Sequence, residues 1–274
     1  MRCRPRHWQP PGPRPPAPAH PDLRPGPDET LDCLAGHWKI FQLRHGHRYS
    51  TDDLLTAWTA SRGMLAAGTE NGTLLDLGCG IGSVGLLLLW RFPGLRLTGV
   101  EAQPRSTSLA RRSARFNGVA ARCTIHDGDL REFRLDGGCG VDWVTGSPPY
   151  LTPAEGRRSD RPQRGPCRFE DRGGVEAYLQ AASRLGRPGA GVSWVHADRY
   201  LDQNIAATIA SGLGRVRHRS VLFREGRDSL IRLFEAKVGE PWSVAEDTPL
   251  VVRTASGEWS AEYREVRRDM GFPS

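Results

Sequence analysis

Leu74-Leu75-Asp76-Leu77-Gly78-Cys79-Gly80-Ile81-Gly82 decides the fold. A short apolar strand, with one acid near its end, runs into a Gly-x-Gly-x-Gly turn and then into a second apolar run over residues 84–90. Glycines at such a turn let the backbone pass close to a bound cofactor and adopt angles that other residues avoid. The third glycine comes one residue earlier than in the G-x-G-x-x-G of dinucleotide enzymes. No Gly-Lys-Ser/Thr follows, which excludes a phosphate-binding P-loop. Asp76, Gly78, Gly80 and Gly82 are therefore candidate cofactor-binding positions.

Working outward from this turn, apolar runs of strand length alternate with helical stretches, the pattern of an α/β fold with a mostly parallel sheet. Strands are predicted at 73–77, 96–100, 122–126, 141–145, 191–196, 216–224 and 230–237, with helices at 84–91 and 104–116. Upstream, Ser50-Thr51-Asp52 reads as a helix start, with Leu54, Leu55 and Trp58 on one face. At the C-terminal end, residues 250–270 read as a short strand, a Ser256-Gly257 turn and a helix. The expected architecture is a seven-stranded sheet with helices on both faces.

Three further sites follow strand ends. Val100-Glu101 lies nineteen residues past Gly82, where an acid can accept both hydroxyls of a ribose. In His126-Asp127-Gly128-Asp129-Leu130, a carboxylate can accept the amino hydrogens of an adenine. Asp129, followed by the apolar Leu130, is preferred over Asp127, which suits a turn cap. Ser147-Pro148-Pro149-Tyr150 directly follows the fourth strand of this set. Its prolines stiffen the loop and remove two backbone donors, leaving carbonyls to face a substrate. An amine conjugated to a ring has a delocalised, weakly nucleophilic lone pair. Hydrogen bonds from that amine to the Ser147 side chain and the Pro148 carbonyl would draw it toward tetrahedral geometry. Tyr150 would stack on the planar group, a contact typically worth about 1–3 kcal/mol per base. Ser147, Pro148, Pro149 and Tyr150 are the expected catalytic residues, acting by positioning and electrostatics rather than through a strong base.

The chain has 274 residues and a formal charge of +7, which favours an acidic partner such as nucleic acid. Lys39 and Lys237 are the only lysines, so 36 of the 38 cations are arginine, a bias that a GC-rich genome also produces. Six cysteines form no C-x-x-C pair, and no metal site is evident. No apolar run is long enough to span a bilayer, and no secretory signal is present. A cytoplasmic protein with reduced thiols is expected. Ten prolines between Pro5 and Pro27 lead to the expectation of a disordered tail over residues 1–33, with the folded domain at 34–274. Two basic elements accompany the site: the loop carrying Arg157, Arg158, Arg161, Arg164, Arg168 and Arg172, and a cluster of Arg217, Arg219, Arg224 and Arg227.

Together these residues resemble the class I S-adenosylmethionine-dependent methyltransferases, and within them the amino-methylating branch marked by (Asn/Asp/Ser)-Pro-Pro-(Tyr/Phe). The sequence resembles the bacterial tRNA(Val) adenine N6-methyltransferase family over residues 36–272. Gly46-His47-Arg48-Tyr49-Ser50-Thr51-Asp52, Arg168-Phe169-Glu170 and Trp259-Ser260-Ala261-Glu262-Tyr263 extend the likeness beyond the core motifs. The resemblance implies S-adenosyl-L-methionine as cofactor and an adenine N6 in tRNA or other structured RNA as target. It also implies that Thr51 and Asp52 lie near the methionine end of the cofactor. The family carries Asn where this chain has Ser147, a residue also found in cytosine-N4 methyltransferases, and Gly146 replaces a side-chain-bearing residue. Competing readings are methylation of a protein glutamine N5, of cytosine N4 or of a DNA adenine, and a catalytically silent cofactor-binding RNA module. The first usually needs a helical N-terminal domain; the DNA readings usually need a target-recognition domain.

Overall fold

The structure is a computed structural model in which residues 8–17, 20–138, 140–150 and 173–274 are described. After a proline-rich stretch come β1 (Glu29–Cys33), β2 (Lys39–Leu43) and α1 (Thr51–Ala67). The central unit follows: β3 (Thr73–Leu77), α2 (Ser83–Arg91), β4 (Arg96–Glu101), α3 (Pro104–Phe116), β5 (Cys123–Asp127) and β6 (Val141–Gly146). The last part holds α4 (Val175–Leu185), β7 (Gly186–Ala197), α5 (Leu201–Ala210), β8 (Leu213–Leu222), β9 (Ile231–Val238), β10 (Val244–Glu246), β11 (Leu250–Val251) and α6 (Ala261–Asp269).

The main sheet runs β10-β8-β9-β7-β6-β3-β4-β5, with β11 also on β8. Its body is the seven long strands expected from the sequence; β10 and β11 are two short additions at the β8 edge. Strands β5, β4, β3, β6 and β7 are parallel neighbours, and β9 is antiparallel to both β7 and β8. One core lies between the sheet and α1, α2, α3 and α6, and a second between the sheet and α4 and α5. The buried parallel strands explain why β3 reads as a nearly continuous apolar run rather than an alternating one. From β3 the chain winds through β4 and β5 in one direction, while β6 and β7 lie on the other side. Ligands of open α/β sheets bind outside the carboxyl ends of strands at such a reversal.

Secondary structure begins ahead of the domain boundary expected at residue 33. Residues 29–43 form an antiparallel hairpin, β1 with β2, and a 3-10 turn at Pro21–Leu23 precedes it. The arginines of α3 hold this segment down. The Arg112 Nη1 donates to both Glu29 oxygens, at 2.9 and 2.8 Å, Arg115 pairs with Asp22, and Arg105 pairs with Asp28 and Glu29. The Arg112–Glu29 pair is nearly buried, with side-chain exposures of 15% and 3%. Composition alone pointed to disorder, whereas the acids among the prolines complement the basic face of α3. No helix among the described residues is long and apolar enough to cross a membrane.

Candidate active site

A cleft open to solvent at its mouth lies where β3, β4, β5 and β6 end. Asp76, Gly78, Gly80, Glu101, Asp129, Leu130, Ser147 and Pro149 all line it. Gly78 and Gly80 adopt φ of 58° and 56°, and a Cβ placed on Gly80 would meet nothing within 4 Å. The turn therefore presents bare backbone to the cleft, at angles that L side chains rarely adopt.

Glu101 closes the far side of the turn. Its Oε2 accepts from the Gly80 N–H at 3.0 Å and its Oε1 from the Gln103 N–H at 2.7 Å. Asp129 accepts from the Arg131 backbone N–H and from its guanidinium. Asp127 does not line the cleft: Thr107 and Arg111 on α3 donate to it and hold its carboxyl below the usual range.

Asp76 is buried inside the wall. Its oxygens accept from the Thr145 hydroxyl at 2.8 Å and from the Gly85 N–H at 3.2 Å, tying β3 to β6 and α2. Burial raises its pKa to about 7, against the lowering effect of those two donors. A carboxyl with a raised folded-state pKa stabilises the fold below its unfolded value near 3.8, and that contribution is lost as pH rises through about 7. Asp76→Asn, which never charges, is therefore expected to melt above the wild type at pH 8. A difference on the order of a few kcal/mol would give roughly 2–4 °C for each. Melting curves at pH 5 and pH 8 check this: the gain should shrink at pH 5, and a pH-independent difference would contradict the raised pKa.

Three expected cofactor residues, Thr51, Asp52 and Gly82, do not line the cleft. Neighbouring residues on a helix point about 100° apart, so the first turn of α1 sends its side chains three ways. The Thr51 side chain faces the Tyr263 hydroxyl, and Asp52 accepts from the Tyr150 hydroxyl at 3.1 Å. Asp53 is the member that faces the cleft. It completes a capping box with Ser50 and accepts from the Ser83 hydroxyl at 3.0 Å. The Ser-x-x-Asp spacing of Ser50 and Asp53 was the available signal for it. Gly82 instead caps α2 at φ 82°, where a Cβ would press on Ala110 at 3.2 Å. Burial, with Asp53 beside it, raises the Asp52 pKa to about 6.

The tetrapeptide is held at its far end and open at its near end. The Pro149 carbonyl lies 3.1 Å from the His196 Nε2. The Tyr150 ring meets His196 edge-on at 5.4 Å and its hydroxyl donates to Asp52. Burial, together with the Asp52 carboxylate, pushes the Tyr150 pKa up, so it stays a protonated donor. In contrast, among the described residues the buried Ser147 Oγ has no hydrogen-bond partner and nothing donates to the Pro148 carbonyl. Neither Pro148 nor Tyr150 lines the cleft itself.

Gly146, unexplained by sequence, acquires a role. A Cβ there would fall 2.9 Å from the Tyr178 ring, and one on Gly78 would fall 2.1 Å from the Tyr178 hydroxyl. Leu77 and Gly146 are register partners, so Tyr178 of α4 lies across the seam between the glycine turn and the tetrapeptide, and it lines the cleft. Trp143 is core, fully buried with its indole donating to Ser193. Arg217 and Arg219 are engaged by Asp247 and Glu262, whereas Arg224 and Arg227 form no ion pair among the described residues. Those two sit in the β8–β9 turn. Because β8 runs in the direction of β7, that turn lies at the carboxyl end of the sheet. The six arginines of the loop after Tyr150, and Arg168-Phe169-Glu170, lie outside the described residues.

The residues present fit S-adenosylmethionine. Bare backbone at Gly80 makes room for it. Glu101 and Asp129 offer acceptors for ribose hydroxyls and an adenine amine, Leu130 gives an apolar wall, and Asp53 offers a carboxylate for an ammonium group. No cluster of His, Cys, Asp and Glu among the described residues could hold a metal ion. The fold and this cleft define a class I S-adenosylmethionine-dependent methyltransferase. The methyltransferase small domain family model matches residues 59–157. The tRNA1(Val) (adenine(37)-N6)-methyltransferase of Porphyromonas gingivalis is 31% identical over 225 residues, covering 79% of this chain and 85% of that one. The chain belongs to the family of that enzyme. Solved structures share the fold. A predicted O-methyltransferase from Agrobacterium tumefaciens superposes with TM-score 0.63 at 20% identity, over 81% of this chain and 97% of that one. The T. thermophilus 16S rRNA N2 G1207 methyltransferase, solved with AdoMet and guanosine, gives TM-score 0.53 at 16% identity, over 77% and 50% of the two chains.

Proposed function

We propose that this enzyme methylates the N6 amino group of an adenine in structured RNA, with tRNA as the substrate class. The observation that carries the reading is the selective openness of the tetrapeptide. The Pro149 carbonyl and Tyr150 hydroxyl are bonded to the protein, while the Ser147 hydroxyl and the Pro148 carbonyl have no partner among the described residues and are left as two acceptors for an amine's two hydrogens. S-adenosylmethionine, when bound, supplies a methyl group on positively charged sulfur. Ser147 and Pro148 draw the amine out of conjugation with its ring and aim its lone pair. The acceptor nitrogen gains a bond to the methyl carbon, the bond from that carbon to sulfur breaks, and the surplus proton leaves to water. Fixed acceptors in a desolvated loop supply this assistance without a strong base.

The RNA part of the reading is supported by the name of the P. gingivalis relative, by the formal charge of +7, and by Arg224 and Arg227 at the site end of the sheet. Purified protein incubated with methyl-labelled S-adenosylmethionine and small RNA from a strain lacking the gene tests it. Nucleoside digestion and mass spectrometry should find the label in N6-methyladenosine. Label in N4-methylcytidine would overturn adenine as the target and tie Ser147 to a different base. No label in RNA would overturn the RNA substrate.

A further inference from the structure

We propose that His196 is the positioning residue for the methyl transfer: held by Asn204, its ring anchors the Pro149 carbonyl so that the Ser147 hydroxyl and Pro148 carbonyl stay aimed at the acceptor amine. The argument is a chain of forced donors. The Trp194 indole can only donate, and its Nε1 lies 2.8 Å from the Asn204 Oδ1. That fixes the amide of Asn204, so its nitrogen points the other way, 2.9 Å from the His196 Nδ1 and 2.8 Å from the Tyr200 carbonyl. His196 must then accept at Nδ1, and its proton sits on Nε2, where it donates to Pro149. One indole therefore sets the tautomer of a histidine two residues along β7, and through it the catalytic loop.

The surroundings favour this arrangement. His196 and Asn204 are both fully buried, so each polar atom in the relay needs its partner. Burial also lowers the His196 pKa and keeps the ring neutral. The loop needs an anchor of this kind because Pro148 and Pro149 have no N–H with which to fasten themselves. Tyr150 and Tyr200 pack on the same imidazole at 5.4 and 5.3 Å, so the ring that holds the carbonyl also sets the plane of Tyr150.

The test compares His196→Leu and His196→Gln with the full-length wild type, on the RNA fraction that the wild type methylates. Misplacing a reacting group by about 1 Å can cost about 10²-fold, and His196→Leu is expected to lose that much in kcat, with KM for RNA and calorimetric affinity for S-adenosylmethionine unchanged. His196→Gln restores a side-chain donor and should recover most of the loss. Wild-type turnover in His196→Leu would overturn the proposal, as would equal losses of cofactor affinity and turnover in both variants. Imidazole ¹⁵N NMR of the wild type reads the relay without any substrate: a proton on Nε2 supports it and a proton on Nδ1 overturns it. The kinetic arm rests on the RNA reading above. Should the wild type methylate no RNA, that reading fails alone, and the NMR result still decides the relay.

Discussion

Ser147→Ala is expected to lower kcat by about 10²–10³-fold, the usual cost of losing one preorganised transition-state contact, while the affinity for S-adenosylmethionine stays near that of the wild type. The Ser147 Oγ is buried and has no hydrogen-bond partner among the described residues, so its removal breaks no described contact. The loop keeps its other fastenings, Pro149 to His196 and Tyr150 to Asp52. The variant should therefore fold, bind cofactor and fail in chemistry. Ser147→Asn returns an acceptor oxygen to the position and should retain far more turnover than the alanine variant. Single-turnover kinetics beside calorimetric binding separate these effects. A fully active Ser147→Ala, or one whose loss is entirely in cofactor affinity, would remove the hydroxyl from the mechanism.

Glu101→Ala is expected to act at the opposite end of the cleft and to weaken cofactor binding first. Hydrogen bonds to a charged group contribute about 1.5–3 kcal/mol each, so losing the acceptor proposed for both ribose hydroxyls should raise Kd by about 10²-fold or more. Glu101 also orders the turn through Gly80 and the start of α3 through Gln103. Some loss of preorganisation is included in that figure. Glu101→Gln keeps one acceptor and should fall between wild type and alanine. At saturating cofactor, kcat should recover in both variants, in contrast with Ser147→Ala. Equal loss of cofactor affinity in the Ser147 and Glu101 alanine variants would contradict this division of labour.

The parts of the molecule that were legible from sequence are those governed by local chemistry. The strand at Thr73–Leu77 and the helix at Pro104–Phe116 have the bounds that the apolar pattern and the helix-starting proline predict. The glycine turn, Glu101, Asp129 and the tetrapeptide come together because each ends a parallel strand, and the carboxyl ends of parallel strands share one edge. What stayed hidden depends on contacts between distant residues. The β1–β2 hairpin is fixed by pairs such as Arg112–Glu29, 83 residues apart in sequence, which no local pattern reveals. The first turn of α1 was located correctly, but which of Thr51, Asp52 and Asp53 faces the cleft depends on the rotation of the helix. His196 and Asn204 carried only a faint signal, polar side chains where an apolar strand and helix needed none. Arg217 and Arg219 looked available in sequence because their partners, Asp247 and Glu262, lie well downstream.

The contact between Tyr178 and Gly146 has a consequence for related sequences. The two positions share one parcel of space beside the reacting groups, so their sizes are exchangeable but not independent. A relative with a side chain just before its tetrapeptide must carry something slimmer than tyrosine on α4, or shift that helix outward. Volume at one position thus limits volume at the other, although 32 residues separate the two along the chain.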